Sequence, residues 1–247
     1  MIVNKAIILA AGVGSRLRPL TDDLPKCLLE VGGQTLIDHQ VQTLARFGVT
    51  DVIVVIGYCG DRIRQQLGDR VRYVVNELYE RTNSLYSLWL ARDELVSGAL
   101  ILNSDVLAVP LLFERLLQSP APDAILVERG EDFDPEDMKV TLNGSLVIDF
   151  GKHLPRERAH AHNVGVAKFS AEGAARLADR LEWLVATGHE NDWVPVAFGA
   201  FASRWPLVAV ATAGLPWIEI DYVADLTRAR LEIEPAVRAL RCAAPAR

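Results

Sequence analysis

The run Leu9-Ala10-Ala11-Gly12-Val13-Gly14-Ser15-Arg16-Leu17-Arg18-Pro19-Leu20-Thr21, with Pro25-Lys26 close behind, contains residue types suited to gripping a polyphosphate. Gly12 and Gly14 allow backbone N–H groups to approach phosphate oxygens, while Arg16 and Lys26 supply charge that can follow a migrating phosphoryl group. Small Ala10 and Ala11 leave room for a sugar and a base. A nucleoside triphosphate is the ligand that this combination fits. The dinucleotide-binding fingerprint requires a third glycine where this chain has Leu17, and the P-loop requires Gly-Lys-Ser/Thr, which is absent. The plain alternative is a tight turn closing a first strand. The loop's length, its two cations and the flanking Pro19 and Pro25 favour binding.

Transfer of a phosphoryl or nucleotidyl group calls for a hard divalent cation, which prefers carboxylate oxygens. Asp105 ends the strand-like run Ala99-Leu100-Ile101-Leu102-Asn103-Ser104-Asp105, and Asp221 ends Trp217-Ile218-Glu219-Ile220-Asp221. Each alone reads equally well as a helix cap or a turn residue. With the phosphate loop they form a candidate Mg²⁺ pair. The block Asn76 to Trp89 concentrates hydroxyls and amides at a helix start. Thr82 or Asn83 is expected to cap it, Thr82 foremost; Asn83, Ser84 and Ser87 are equally able to read a base edge, and Tyr86 and Trp89 are expected in the core.

The elements that must position these groups are legible from periodicity. Ala6 to Ala10, Val52 to Ile56, Val71 to Val75 and Leu100 to Leu102 read as strands. Thr35 to Phe47, Asp61 to Leu67 and Ser84 to Leu95 read as amphipathic helices between them. This βαβαβ alternation predicts an α/β fold whose ligand lies beyond the carboxyl ends of parallel strands. After Pro122, strand runs at Ala124 to Val127, Met138 to Leu142, Leu146 to Phe150 and Val164 to Phe169 follow, with Asn143-Gly144 as a hairpin turn. Helices are expected at Ala171 to Ala186 and Tyr222 to Ile233. The segment 233–247, with Arg238, Arg241 and Arg247, reads as a solvated or frayed tail.

A chain of 247 residues suits one domain, with a nucleotide-binding half over about 1–120 and an acceptor-binding half over about 121–232. A net charge of −6 disfavours nucleic-acid binding, which demands a basic surface. Cys27, Cys59 and Cys242 show no paired or metal-ligand spacing and are expected to be reduced thiols in a cytoplasmic protein. The apolar run Ala6 to Ala11 feeds directly into the charged glycine loop, which argues against an export signal. Pro206 and Pro216 interrupt the best late candidate for a membrane span.

The glycine loop, Pro25-Lys26, Thr82-Asn83-Ser84-Leu85-Tyr86-Ser87-Leu88, Asn103-Ser104-Asp105 and Trp217-Ile218-Glu219-Ile220-Asp221 together resemble the nucleotidyltransferases of Rossmann-like GT-A fold. Matches run from residue 6 to about residue 230. The Thr-Asn-Ser-Leu block resembles the phosphocholine and phosphonate cytidylyltransferase branch. Sugar-phosphate uridylyl- and thymidylyltransferases usually carry a glycine-rich segment there.

That resemblance implies a mixed, mainly parallel sheet flanked by helices. It implies that Leu9, Ala10, Ala11, Gly12, Gly14 and Ser15 hold the nucleotide, Arg16 the β and γ phosphates, and Lys26 the α-phosphate and acceptor. Asp105 and Asp221 would carry Mg²⁺, and Asn83 and Ser84 would lie where the base, cytosine, is read. The implied reaction joins CMP from CTP to a small phosphate or phosphonate acceptor and releases pyrophosphate. Enzymes of this kind often form homo-oligomers.

His162 departs from the pattern, since relatives carry a glutamate before the strand Val164 to Phe169. Histidine offers a neutral or cationic donor instead. The neighbouring Lys152, His153, Arg156, Arg158 and His160 make this segment basic, with Arg156 and Arg158 expected in solvent. Lys152 and His162 in the pocket would suit an acceptor with an extra negative charge, such as a phosphonoformate. Asp192 and Trp193, in Glu190-Asn191-Asp192-Trp193, either face the acceptor or belong to a capped helix with Trp193 in the core. Trp193, Trp183 or Trp217 would offer an aromatic wall to the ammonium of phosphocholine. A sugar 1-phosphate acceptor with UTP and a non-catalytic nucleotide-binding module remain the competing readings.

Overall fold

The computed structural model describes residues 3–243. The chain opens with β1 (Lys5–Ala10), apolar after Lys5 and buried throughout that stretch, as a strand covered on both faces must be. A hairpin of β2 (Glu30–Val31) and β3 (Gln34–Thr35) leads into α1 (Leu36–Arg46), whose cap Thr35 accepts from the Asp38 amide. Next come β4 (Asp51–Ile56), α2 (Gly60–Leu67), β5 (Arg72–Val75), α3 (Ser84–Leu90), β6 (Ala99–Asn103), β7 (Val106–Ala108) and α4 (Pro110–Gln118). The remainder comprises β8 (Ala124–Arg129), β9 (Lys139–Asn143), β10 (Leu146–Gly151), β11 (Ala161–Phe169), α5 (Ala171–Ala186), α6 (Val194–Ala202), β12 (Val208–Ala211), β13 (Trp217–Glu219), α7 (Val223–Arg228) and α8 (Glu234–Ala243).

Nine strands form one sheet in the order β5-β4-β1-β6-β11-β8-β12-β10-β9. The joints β5–β4, β4–β1 and β1–β6 are parallel, and β8–β12 is parallel too, while the other joints are antiparallel. β9 also bonds β11, through Ala161↔Val140 and His162↔Lys139, so the far edge curls back on the sheet. The expected α/β fold with a mixed sheet is therefore present, and its parallel character is concentrated in the first four strands. The period of two in β1 sends Ala6, Ile8 and Ala10 to one face with α1, α2, α4 and α7. Ile7 and Leu9 go to the other with α3, α5 and α6. Both faces of the sheet are thus covered.

Several expectations need correction. The helix predicted over Ser84 to Leu95 stops at Leu90, and a 3₁₀ segment, Arg92–Ser97, turns the chain into β6 through Gly98 at φ 81. A side chain at Gly98 would meet the Phe169 carbonyl at 2.8 Å, so the turn needs glycine. Of the two expected caps of α3, Asn83 rather than the favoured Thr82 fills the role. Asp105 lies in the turn between β6 and β7 rather than within the strand.

The segment from 233 is not a loose tail. A π-helical turn, Ala229–Ile233, joins α7 to α8, and Val237 is buried against the core. Here the guanidinium of Arg230 donates twice to the Glu30 carbonyl at 3.0 and 2.9 Å. The side chain of Glu234 lies over Gly32, where an added β-carbon would come within 2.5 Å of it. These contacts clasp the β2–β3 hairpin just downstream of Lys26. Arg247 and the side chains of Arg241 and Cys242 lie outside the described residues. Helices α4 and α8 went unpredicted, and α6 was expected only as the alternative of a capped helix at Glu190 to Trp193; it is almost wholly apolar, and periodicity cannot reveal a helix with no polar face.

Gly57 follows β4 and lies beneath the glycine loop. Its missing β-carbon would be 2.7 Å from Tyr79 Cβ and 2.8 Å from the Ala11 carbonyl oxygen. Gly57→Ala is expected to cost about 1–3 kcal/mol through overpacking, read as a lower urea midpoint with an unchanged slope.

Candidate functional site

Leu9 and Ala10 end β1, and Ala11 accepts from the Tyr58 amide at 3.1 Å, which ties the loop to the end of β4. Gly12 faces open space, since a β-carbon there would meet nothing within 4 Å. Its backbone is therefore available to a ligand. Gly14 has φ +66 and caps the 3₁₀ turn Ser15–Leu17, where an added β-carbon would stand 3.2 Å from Lys26 Cβ. Glycine at that position both permits the turn and lets Lys26 pass beneath it. The Thr21 hydroxyl donates to the Gly14 carbonyl at 2.9 Å, and the Tyr58 hydroxyl donates to the carbonyls of Thr21 and Asp22. Ser15 and Arg16 are exposed.

The charged groups converge beside this loop. Lys26 Nζ donates to Asp105 Oδ2 at 3.0 Å and to Asp221 Oδ1 at 2.6 Å. Arg16 Nη1 donates to Asp221 Oδ2 at 3.1 Å, and its guanidinium lies 5.4 Å from the centroid of the Tyr222 ring. Four residues expected from distant parts of the chain thus meet in one cluster. Backbone bonds fix the acids: the Ser104 amide donates to the Leu9 carbonyl at 3.3 Å, and the Ile220 amide donates to the Asp105 carbonyl at 3.1 Å. Asp225 accepts from the amides of Asp221 and Tyr222 at 3.0 and 2.8 Å and so stabilises the start of α7.

Burial opposes charge on Lys26, but Asp105 and Asp221 outweigh it and hold the ammonium pKa above its ordinary value. Burial likewise opposes charge on Asp221, yet Lys26 and Arg16 keep its carboxyl below the usual range. Glu219 is the member that sequence reasoning missed. Burial first, and then the charges of Asp105 and Asp221, push it up to about 8. Its signal was present, because the period of two in a strand places Glu219 and Asp221 on one side.

Among the described residues no group of three or more His, Cys, Asp or Glu converges as a metal cage. Asp105 Oδ1, however, is buried without a hydrogen-bond partner. Two carboxylates, one with an orphaned oxygen, match the needs of Mg²⁺, which is commonly held by one or two carboxylates with waters and substrate phosphates completing the shell. The donor set therefore fits the expected ion.

The proposed acceptor residues fall into two groups. Lys152 Nζ lies 4.7 Å from the centroid of the Trp193 ring and pairs with Glu136 at 2.9 Å. Its charge also helps to hold the Asp221 carboxyl down, which places this group within electrostatic reach of the cluster. Trp193 is 43% exposed, so of its two readings the core one falls. His162 instead joins the loop before β9: its ring contacts the Asp132 carbonyl at 3.1 Å and Asp137 at 3.3 Å, and it lies 4.5 Å from the Phe133 ring. The tryptophans form no common wall: Trp217 donates to Glu128 at 3.0 Å, whereas Trp183 stacks on His189 at 6.4 Å.

Asn83 and Ser84 use hydrogen bonds within the protein. Asn83 Oδ1 accepts from the Ser84 amide at 2.8 Å, and Ser84 Oγ accepts from the Val194 amide at 3.0 Å. The amides of Asn83 and Leu85 donate to the carbonyls of Glu190 and Asp192 at 2.9 and 3.1 Å. Asp192 Oδ2 lies 2.7 Å from His189 Nδ1, within hydrogen-bond distance. The start of α3 is thereby stitched to the 189–194 segment. Tyr86 and Trp89 lie half-buried against each other, with centroids 5.0 Å apart, and Trp89 packs on the margin of the core. Among the described residues no helix is long and apolar enough to cross a membrane.

The MobA-like NTP transferase domain matches residues 6–135. The CTP:phosphoglutamine cytidylyltransferase of Campylobacter jejuni is 28% identical, over 90% of this chain and 97% of that protein. The choline-phosphate cytidylyltransferase of Streptococcus pneumoniae is 42% identical over 100 residues, which cover 39% of this chain and 43% of that protein. Among solved structures, the CTP:phosphocholine cytidylyltransferase of Streptococcus pneumoniae superposes with a TM-score of 0.77 at 26% identity, covering 92% of this chain and 97% of that one. The inositol-1-phosphate CTP transferase of T. maritima has a TM-score of 0.79 at 22% identity, a likeness of fold, covering 98% and 97%.

Glu219 makes a pH prediction. Its carboxyl moves from 4.5 to about 8 on folding, so between those values the folded protein retains a proton that the unfolded chain releases. Its contribution to stability therefore falls as pH rises through that window. Glu219→Gln is expected to flatten the decline of thermal midpoint between about pH 5 and pH 8, measured without ligand.

Proposed function

The chain belongs to the MobA-like NTP transferase domain family and is a nucleotidyltransferase, and on that footing we propose that it is a Mg²⁺-dependent cytidylyltransferase acting on a small phosphate or phosphonate. One observation carries this reading: the Lys26 ammonium bridges Asp105 and Asp221 beside a glycine loop whose Gly12 is open to a ligand. The relatives that match along this chain support CTP as the donor.

Asp105 and Asp221 would hold Mg²⁺, which when bound neutralises triphosphate charge and stabilises the pyrophosphate leaving group. Arg16 binds the β and γ phosphates. Lys26 serves the α-phosphate and the incoming acceptor, and the backbone of Leu9 to Ser15 supports the nucleotide. An acceptor oxygen forms a bond to the α-phosphorus as the bond from that phosphorus to the β-bridging oxygen breaks, and pyrophosphate leaves with the electron pair. The acceptor is already ionised near neutral pH, so no residue need act as a base. Catalysis rests on positioning and charge neutralisation.

Lys152, beside Trp193, and His162 as a second potential cation favour an acceptor with an additional anionic group. Asn83 and Ser84 contribute to the base side through the helix start that they cap and tether. A second reading, phosphocholine, rests on Trp193, whose exposed ring already faces a cation 4.7 Å away.

Lys26→Ala and Asp105→Ala are each expected to lower pyrophosphate release from CTP by roughly 100-fold or more while preserving the circular dichroism spectrum. Near-normal release would remove the residue from the mechanism. CTP is expected to protect against thermal unfolding more than UTP does. In a panel of phosphocholine, 2-aminoethylphosphonate and phosphonoformate, His162→Glu is expected to move preference towards the cationic acceptors. An unchanged ranking would place His162 outside the pocket.

A further inference from the structure

Gln40 lies on the inner face of α1 and is 3% exposed, so its amide is buried in a largely apolar setting. Its Nε2 donates to two backbone carbonyls, Asn103 at 2.8 Å and Val106 at 2.9 Å. Those carbonyls flank the two-residue turn Ser104-Asp105 on either side. The amide oxygen of Gln40 gains nothing from the arrangement, because Oε1 is buried with no hydrogen-bond partner. An apolar side chain of similar length would fill the same space without stranding a polar atom. The amide's benefit therefore lies in the turn that its two N–H groups span.

We propose that Gln40 is a positioning residue that acts through this turn to aim Asp105. The assignment rests on the reading of Asp105 as a holder of the Mg²⁺–nucleotide complex. Backbone bonds to Leu9 and from Ile220 fix the turn against the glycine loop and the Asp221 segment. The bridge from Gln40 anchors it to α1 as well, so the turn is held from three directions. This third anchor fixes the peptides 103–104 and 106–107 that bracket Ser104-Asp105, and so restricts the direction in which the carboxylate leaves the chain. Gln40 itself touches no reacting group.

The test compares wild type with Gln40→Met, which keeps the length and removes the donors, and with Gln40→Asn, which keeps the amide but is one methylene too short to span the turn. Amide hydrogen exchange over residues 103–106 is measured in the unliganded protein, and Mn²⁺ affinity is measured by electron paramagnetic resonance with CTP and no acceptor. Steady-state rates are titrated with Mg²⁺. Both variants are expected to exchange at least tenfold faster across the turn. They are also expected to bind Mn²⁺ at least fivefold more weakly with CTP and to need correspondingly more Mg²⁺ for half-maximal rate, the Asn variant less severely. A purely structural role would lower the active fraction without moving the metal midpoint. Metal affinity and Mg²⁺ midpoint within twofold of wild type in a folded variant would overturn the proposal, as would unchanged exchange across the turn. Loss of Mn²⁺–CTP binding in the wild type would defeat the cytidylyltransferase reading instead, leaving the exchange data to judge Gln40's hold on the turn. Should the Met variant not fold, the Asn variant supplies the same comparison.

Discussion

The attraction between one ammonium and two carboxylates organises this protein's functional edge. Lys26 stands 79 residues from Asp105 and 195 from Asp221, yet its nitrogen is within hydrogen-bond distance of both. Two acids brought this close would repel one another, and partial burial would add to the cost of their charge. The lysine resolves both difficulties, and the depressed Asp221 carboxyl with the raised Lys26 ammonium expresses that mutual support. Glu219 stands just outside the arrangement. There burial and the charges of Asp105 and Asp221 outweigh the pull of Lys26, and its carboxyl is raised.

Keeping three such groups together requires rigid supports at several points. β1 supplies the loop, the β6–β7 turn supplies Asp105, and β13 delivers Asp221. β7 and β13 pair antiparallel, with Glu219 opposite Val106, so the segments bearing the two acids share a ladder. Lys26 has its own brace, since the β2–β3 hairpin beyond it is gripped by Arg230 and Glu234. The glycines at 14 and 57 are demanded by close approach in this setting rather than by flexibility.

Much of this arrangement was legible before any coordinates. β1, β4 and β6 announced themselves as short apolar runs, and Asp105 and Asp221 as acids at the ends of strand patterns. Their meeting was legible because parallel α/β sheets present ligands at one edge. The limits have identifiable causes. Helix α6 hides its periodicity by being apolar all round, and α8 buries only Val237 fully, with Ala236 and Leu240 partly packed against the core. Trp193 stood open between pocket and core, because hydrophobicity alone cannot show that a ring lies under a lysine remote in sequence. Gln40 left no trace, since a lone amide on the buried face of a helix has the same spelling whether it spans a turn or merely fills space.

The distance along the chain between Lys26 and Asp221 also has a bearing on biosynthesis. A polypeptide leaving the ribosome exposes the glycine loop and its lysine while the second acid is still to be translated, and contacts of such long range are the slowest to form. Throughout that interval the half-made crevice lacks the pairing that quiets its charges. Competence for catalysis therefore waits on β13, whose pairing with β7 brings Asp221 to Lys26.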